Sequence, residues 1–350
     1  MQPPKLDIII TGFGFMGEMH AQAYAGLPLA NVVAIVDALP DVARSKVARL
    51  QMSPVPVFTD LESALAAVSA DIVDICLPTD RHAAVAVQAL RAGKHVFCEK
   101  PLALTLEQTR EIREAHEDAG TFFQVGHCIR FWPEYQAFEK FVREGSAGRL
   151  LSLTLQRRSA RPSYSAANWL NDPARSLGAA VDLHIHDTDF VLHLLGTPPA
   201  VFSRGTRDEG GWSHIFTHYL YPDVVVQAEG GWNYPGEWGF QMAFQAVFEH
   251  GTVEYDSGTT PTLRLVRANS KPEPLPYVPA GGNASGTSGN LSSLGGYVNE
   301  LAAFLDCVAN NRPPALATLD QSAESLRVVL AEVASIESGA PVNLVASSRS

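Results

Sequence analysis

The sequence predicts an α/β fold: a Rossmann-type doubly wound parallel sheet, then an α+β part built on a large, mostly antiparallel open sheet. Three observations point there. In the first third, short apolar runs without period-two alternation are separated by helical stretches, the pattern of a parallel sheet covered on both faces. A glycine fingerprint follows the first run directly. From about Gly148 the texture changes to alternating apolar and polar residues, with strand follows strand and few helices between. At 350 residues the chain exceeds the usual size of one core. The expected division is 1–126 and 127–350, with closing helices over 297–337 placed to pack back on the first domain.

The first-domain runs are residues 5–10, 31–37, 55–58, 71–78, 95–100 and 121–126. Gly93 and Gly120 stand where left-handed C-caps belong, and Thr105 with Gln108 fits a capping box. Later runs at 148–160, 212–221, 223–234, 238–256 and 260–268 read as strands separated by turn residues. One helical pattern, 180–196, interrupts them early. The polar stretch 269–296 reads as a long loop or lid, and helices are expected over 297–310 and 320–337.

A formal charge of -11 disfavours nucleic acid and anionic membranes as partners. The N-terminal "MQPPKLDIII" has neither a signal-peptide nor a membrane-span pattern, so a cytoplasmic protein is expected. Cys76, Cys98, Cys128 and Cys307 show no metal-ligand spacing, and buried free thiols are the expectation.

Gly12, Phe13, Gly14, Phe15, Met16 and Gly17 form a Gly-x-Gly-x-x-Gly turn between a strand and a helix. Gly12 permits the tight turn, Gly14 lets backbone amides approach a pyrophosphate, and Gly17 lets helix and strand pack closely. A purely structural glycine turn is the competing reading. Asp37 ends the next run and suits a ribose diol while repelling a 2′-phosphate, so NAD is expected rather than NADP. A second unusual stretch is "FCEKPLA", where Glu99 and Lys100 follow a buried run and Pro101 stops it. An exposed loop ion pair would explain these residues equally well on their own.

Together with His20 and the stretches "LPTDRHAAVAVQALRAGKHVFCEKPLA", "VGHCIRFWPEY", "LGAAVDLHIHDTDFVLHLLGTP" and "YVNELAAFLDCV", these motifs resemble the glucose–fructose oxidoreductase/inositol dehydrogenase/rhizopine-catabolism family. The resemblance covers nearly the whole chain. It implies that Lys100, Asp182 and His186 are catalytic. Lys100 would polarise a reacting oxygen, His186 would act as base, and Asp182, i−4 to it on an expected continuous helix, would orient it or bind a neighbouring hydroxyl. It implies that Leu77, Pro78, Thr79 and His82 lie along the cofactor, with Glu99, Lys100 and His127 near the nicotinamide. Arg130 and Trp169 would join Lys100, Asp182 and His186 at the substrate. Competing readings stay open: His82 as a core histidine, Arg130 as a partner of Glu134, and Trp169 as a packing residue. Asp182 and His186 suggest metal only weakly, since no third ligand is apparent, and no metal is expected. Leu177 and Cys128 depart from the family pattern, so reaction type transfers better than substrate.

The resulting expectation is an NAD-dependent oxidoreductase moving a hydride between nicotinamide and a secondary hydroxyl of a cyclic polyol, sugar or glycoside. It is expected to form a homodimer or homotetramer. One alternative is a redox-neutral enzyme that keeps NAD bound and acts on a glycoside by transient oxidation and elimination. Another is a non-catalytic nucleotide sensor.

Overall fold

The computed structural model describes residues 4–279 and 295–344. These divide into two compact units that are not contiguous in sequence. One gathers 4–131, 164–169 and 295–323, and the other 132–163, 170–279 and 324–344.

The first unit carries β1 (Leu6–Thr11), α1 (Phe15–Ala25), β2 (Ala30–Val36), α2 (Pro40–Arg49), β3 (Val57–Phe58), α3 (Leu61–Ala67), β4 (Ile72–Ile75), α4 (His82–Arg91), β5 (His95–Cys98), α5 (Leu106–Ala119) and β6 (Phe123–Val125). All strand pairs are parallel, in the order β3-β2-β1-β4-β5-β6. The strand order reverses between β1 and β4, and ligands of such sheets collect beyond the carboxyl ends of the strands at that point. Ile8, Ile9 and Ile10 are all fully buried. Consecutive burial is possible only when both sheet faces are covered, which is why these runs lack alternation. The helix Gly295–Ala309 supplies Leu301, Phe304 and Leu305 to the same core as Ile8, Ile10 and Phe97. Gly93 and Gly120 do adopt positive φ. The Thr105 hydroxyl accepts from the Gln108 amide at 3.2 Å, while the Gln108 side chain reaches back to the Leu104 amide at 3.0 Å.

The second unit carries α6 (Pro133–Glu144), β7 (Leu150–Ala160), α7 (Pro173–Ser176), α8 (Ala179–Asp182), α9 (Ile185–Leu195), β8 (Ala200–Asp208), β9 (Gly211–Leu220), β10 (Val225–Tyr234), β11 (Phe240–Phe248), β12 (Gly251–Asp256), β13 (Leu263–Arg267), β14 (Glu273–Pro274) and β15 (Val342–Asn343). The nine strands run β14-β13-β12-β11-β7-β10-β9-β8-β15. Only β7 and β10 pair in parallel. Burial alternates along β7, with Leu153, Leu155, Arg157 and Ser159 inward. An aromatic cluster covers that face: Tyr135 and Phe138 of α6 meet Phe190 of α9 and Phe244 of β11, with ring centroids 4.8 Å apart for Tyr135–Phe190 and 4.4 Å for Phe138–Phe244.

Two expectations change here. The helix read over 180–196 is broken after Asp182, where the His184 amide bonds back five residues to the Ala179 carbonyl at 2.9 Å. That extra residue in the turn shifts the phase of everything after it. Strand β8 was not expected, because its outer half is exposed and charged and shows no alternation. Of the expected loop 269–296, Glu273–Pro274 pairs at the sheet edge, and 280–294 lie outside the described residues.

Candidate active site

The glycine turn is built as its spacing requires. Gly12 has φ +85°, and a Cβ there would lie 2.6 Å from the Cys76 carbonyl oxygen. A Cβ on Gly17 would lie 2.1 Å from the Gly12 oxygen, so β1 and α1 meet at a separation only glycine allows. Gly14 caps α1 without a side-chain bond, and a Cβ there would meet nothing within 4 Å. Unpaired first-turn amides of α1 therefore face an open cradle, which fits a pyrophosphate. Phe13 is buried, while Phe15 and Met16 are half-buried. Asp37 follows β2. One of its oxygens accepts from the Phe13 amide at 2.7 Å and the other from the Leu39 amide at 2.8 Å. It therefore fixes the glycine turn, and a carboxylate has further lone pairs for a ribose diol.

The Glu99–Lys100–Pro101 turn follows β5, one strand beyond the switch point, and its Lys100–Pro101 peptide is cis. Glu99 is 4% exposed. One of its oxygens accepts from the Lys100 amide at 3.1 Å, and the other lies 3.1 Å from His20 Nε2. His20 Nδ1 lies 2.9 Å from an oxygen of Asp74, and both His20 and Asp74 are fully buried. Burial alone would push His20 down, but the Asp74 charge and hydrogen bond hold it well above the usual imidazole value. Burial would raise Glu99, but the His20 bond and charge and the Lys100 ammonium keep it below the usual carboxylate value. The sequence reading assigned His20 no role. The available signal was Asp74, an acid inside an otherwise apolar buried strand.

His82 occupies the other side of the turn. Its ring nitrogens lie 2.8 Å from the Leu77 and Pro101 carbonyl oxygens, and burial pushes it below the usual imidazole value. Of its two readings, the core one fits: the ring is spent on the chain's own backbone, so any effect on cofactor is through Leu77 and Pro101. Leu77 and Pro78 are half-buried, beside Thr79, whose buried hydroxyl makes no hydrogen bond. His127 and Arg130 are buried after β6, and Arg130 donates to Gln321 at 2.5 Å. Glu134, the alternative partner considered for Arg130, accepts from Thr262 at 3.1 Å. Trp169 is half-buried, and five residues before it Tyr164 packs its ring on Phe15 with centroids 4.9 Å apart, a contact the sequence did not indicate.

Asp182 and His186 belong to the second unit, at the end of α8 and in the first turn of α9. Asp182 is 9% exposed and His186 half-buried. Because the helix breaks between them, the i,i+4 argument for a shared face does not apply. Their neighbours explain the remaining polar residues. Asp187 receives two bonds from Arg157 at 3.0 and 2.9 Å, both side chains buried. Asp189 accepts from Ser325 at 2.7 Å, and His184 pairs with Glu332 at 3.1 Å. Trp232 is 2% exposed and offers no stacking surface, whereas Tyr234 donates to Glu229 at 2.8 Å. All four cysteines are free and buried.

Known proteins agree with this architecture. Residues 6–127 match the model described as "Oxidoreductase family, NAD-binding Rossmann fold", and residues 135–254 match the "GFO/IDH/MocA C-terminal domain". Inositol 2-dehydrogenase of Rhizobium meliloti is 35% identical over 63% of this chain and 65% of its own length, so the match spans less than two thirds of that protein. Inositol 2-dehydrogenase of Corynebacterium glutamicum is 30% identical over 71% of this chain and 72% of its own. A solved levoglucosan dehydrogenase in complex with NADH and levoglucosan shares the fold at a TM-score of 0.82, with 22% identity over 98% of this chain and 100% of that one. With both of these matches and the Corynebacterium glutamicum relative, the chain belongs to the GFO/IDH/MocA family of NAD-binding oxidoreductases.

Proposed function

We propose that the protein moves a hydride between NAD and a secondary hydroxyl of a cyclic polyol, sugar or glycoside. The observation that carries this reading is a single one. The cradle at α1, Asp37 beside it and the Lys100 turn, held from both sides by His20 and His82, all belong to one rigidly packed sheet edge. Bound NAD supplies the hydride acceptor. The chain's own groups manage the hydroxyl. The Lys100 ammonium orients the reacting oxygen and stabilises negative charge developing on it. His186 accepts the hydroxyl proton as the carbinol carbon loses hydride, and Asp182 orients His186 or a neighbouring hydroxyl. Arg130 and Trp169 are assigned to the substrate, and Leu77, Pro78, Thr79 and His127 to the cofactor, on the family pattern. The relatives' names supply the class: inositol and an anhydro-sugar.

The same reading includes a homodimer or homotetramer. Val225 pairs directly with Leu220 across β10 and β9, and both are exposed, at 67% and 41%, as is Phe216 at 49%. Apolar side chains together on one open sheet face mark an association surface.

The test is a screen of inositols, hexoses and 1,6-anhydro-sugars with NAD or NADP, following reduced cofactor and product together. Reduced cofactor formed in step with product, and with NAD in preference to NADP, supports the reading. Product without net reduced cofactor would replace it with redox-neutral chemistry.

A further inference from the structure

Four ionisable side chains from four elements meet behind the Lys100 turn, within the first unit: His20 of α1, Asp74 of β4, Glu99 after β5, and Glu300 of the helix Gly295–Ala309. All are at least nine-tenths buried, and the ligating atoms of His20, Glu99 and Glu300 lie within 4.8 Å of one another. Such a set resembles a metal centre, but its geometry points to a proton instead. Both ring nitrogens of His20 face carboxylate oxygens, Nδ1 toward Asp74 at 2.9 Å and Nε2 toward Glu99 at 3.1 Å. A ring that donates on both sides has no lone pair for an ion. Glu300 fits the same arithmetic. Its two oxygens are buried without a hydrogen-bond partner, and burial plus the nearby Glu99 charge raise it well above the usual carboxylate value. His20 is thus the group seated directly between the Asp74 and Glu99 oxygens, with Glu300 beside them.

Glu99 is fixed on three sides. His20 takes one oxygen, the Lys100 amide takes the other, and a Cβ on Gly126 would lie 2.9 Å from Glu99 Oε1. Whatever holds the Glu99 carboxylate therefore holds the backbone from which Lys100 projects.

We propose that His20 is a positioning residue of the active site, a doubly donating imidazolium that keeps Glu99 ionised and in place and thereby fixes the Lys100 turn. The proposal rests on the reading of Lys100 as the catalytic amine. The groups that face His20 are Asp74 of β4 and Cys76 just after it, Glu99 beyond β5, Glu300 and Tyr297 from the helix Gly295–Ala309, and Tyr24 from its own helix. Tyr24, Cys76, Tyr297 and Glu300 are all pushed up from their usual values, by burial first.

The charge state is read in the full-length protein with NAD, by nitrogen-15 NMR of labelled histidine rings, His20 being assigned through its ring contact with Phe97. An imidazolium with two bonded N–H groups at about pH 8, well above the free-imidazole range, is expected. A neutral tautomer there overturns the proposal. The functional arm compares wild type with His20→Gln on inositol and NAD. With its cation gone, buried Glu99 takes up a proton at higher pH, so the acid limb of kcat/KM moves up by about one pH unit or more while NAD affinity stays within about threefold. The double variant His20→Gln/Glu99→Gln loses that limb. A loss uniform across pH, or an unshifted profile, means a structural histidine and overturns the proposal. A Lys100→Met variant with wild-type turnover would instead defeat the catalytic reading, leaving the NMR result to judge His20 separately.

Discussion

A carboxylate at the end of a buried strand is unfavourable unless its oxygens are hydrogen-bonded and its charge is balanced. Glu99 meets both conditions, through the Lys100 amide and through His20. At this scale the legible and illegible parts of the site separate by sequence distance. Gly12, Gly14, Gly17 and Asp37 could be read because their roles are local: one turn, one helix start, one strand end. His20 and Asp74 could not be paired, since 54 residues separate them and only the parallel β1–β4 pairing brings them together. Two predictions belong here. Asp37→Ala removes both the proposed ribose acceptor and the bond to the Phe13 amide, so KM for NAD should rise about tenfold or more, with the preference over NADP reduced; steady-state kinetics with both cofactors checks this. In Gly17→Ala the added Cβ would press on the Gly12 carbonyl at 2.1 Å. Cofactor titration should show NAD binding weakened by about tenfold or more, because the turn must shift to relieve the clash.

Elements were legible where pattern reflects burial and obscure where it does not. The six parallel strands each announce themselves as apolar runs, and every one is present. The segment 180–196 has helical periodicity on both sides of residue 183, which hides the break between α8 and α9. Its polar residues serve packing as much as chemistry. Asp187 fixes α9 to β7 through Arg157, with both partners inside the core. Removing one member of such a pair leaves the other charged and buried, so Arg157→Met should destabilise the second unit by about 3–5 kcal/mol. Replacing both, as Arg157→Met/Asp187→Leu, should recover most of that loss. Urea denaturation followed by tryptophan fluorescence measures both, and equal instability of single and double variants would show that the sheet needs the ion pair itself.

For the molecule as a whole, a net charge of -11 and the absence, among the described residues, of a helix long and apolar enough to cross a membrane frame the expected behaviour. The exposed Phe216, Leu220 and Val225 predict assembly. Light scattering should give two or four times the protomer mass of 37.7 kDa, falling toward one protomer in Val225→Lys/Phe216→Glu. Stability should also carry the signature of the His20–Glu99 pair. His20 is raised above 6.5 in the fold, so its contribution is complete below that pH and fades as pH climbs through its folded value. Glu99 is lowered below 4.5, so its contribution is complete above that pH and fades as pH falls through its folded value. The gap in melting temperature between wild type and His20→Gln should therefore be widest between pH 4.5 and 6.5. Fold and cofactor class followed from composition, periodicity and a handful of glycines; the substrate did not, because side chains proposed to contact it, such as Arg130, are placed by residues far away in sequence, here Gln321.

The most direct test of the central claim is single-turnover formation of reduced cofactor by Lys100→Met, with NAD pre-bound and inositol or levoglucosan added. NAD binding should stay intact and the rate should fall by about a hundredfold or more relative to wild type. Hydride transfer at the wild-type rate would contradict that claim.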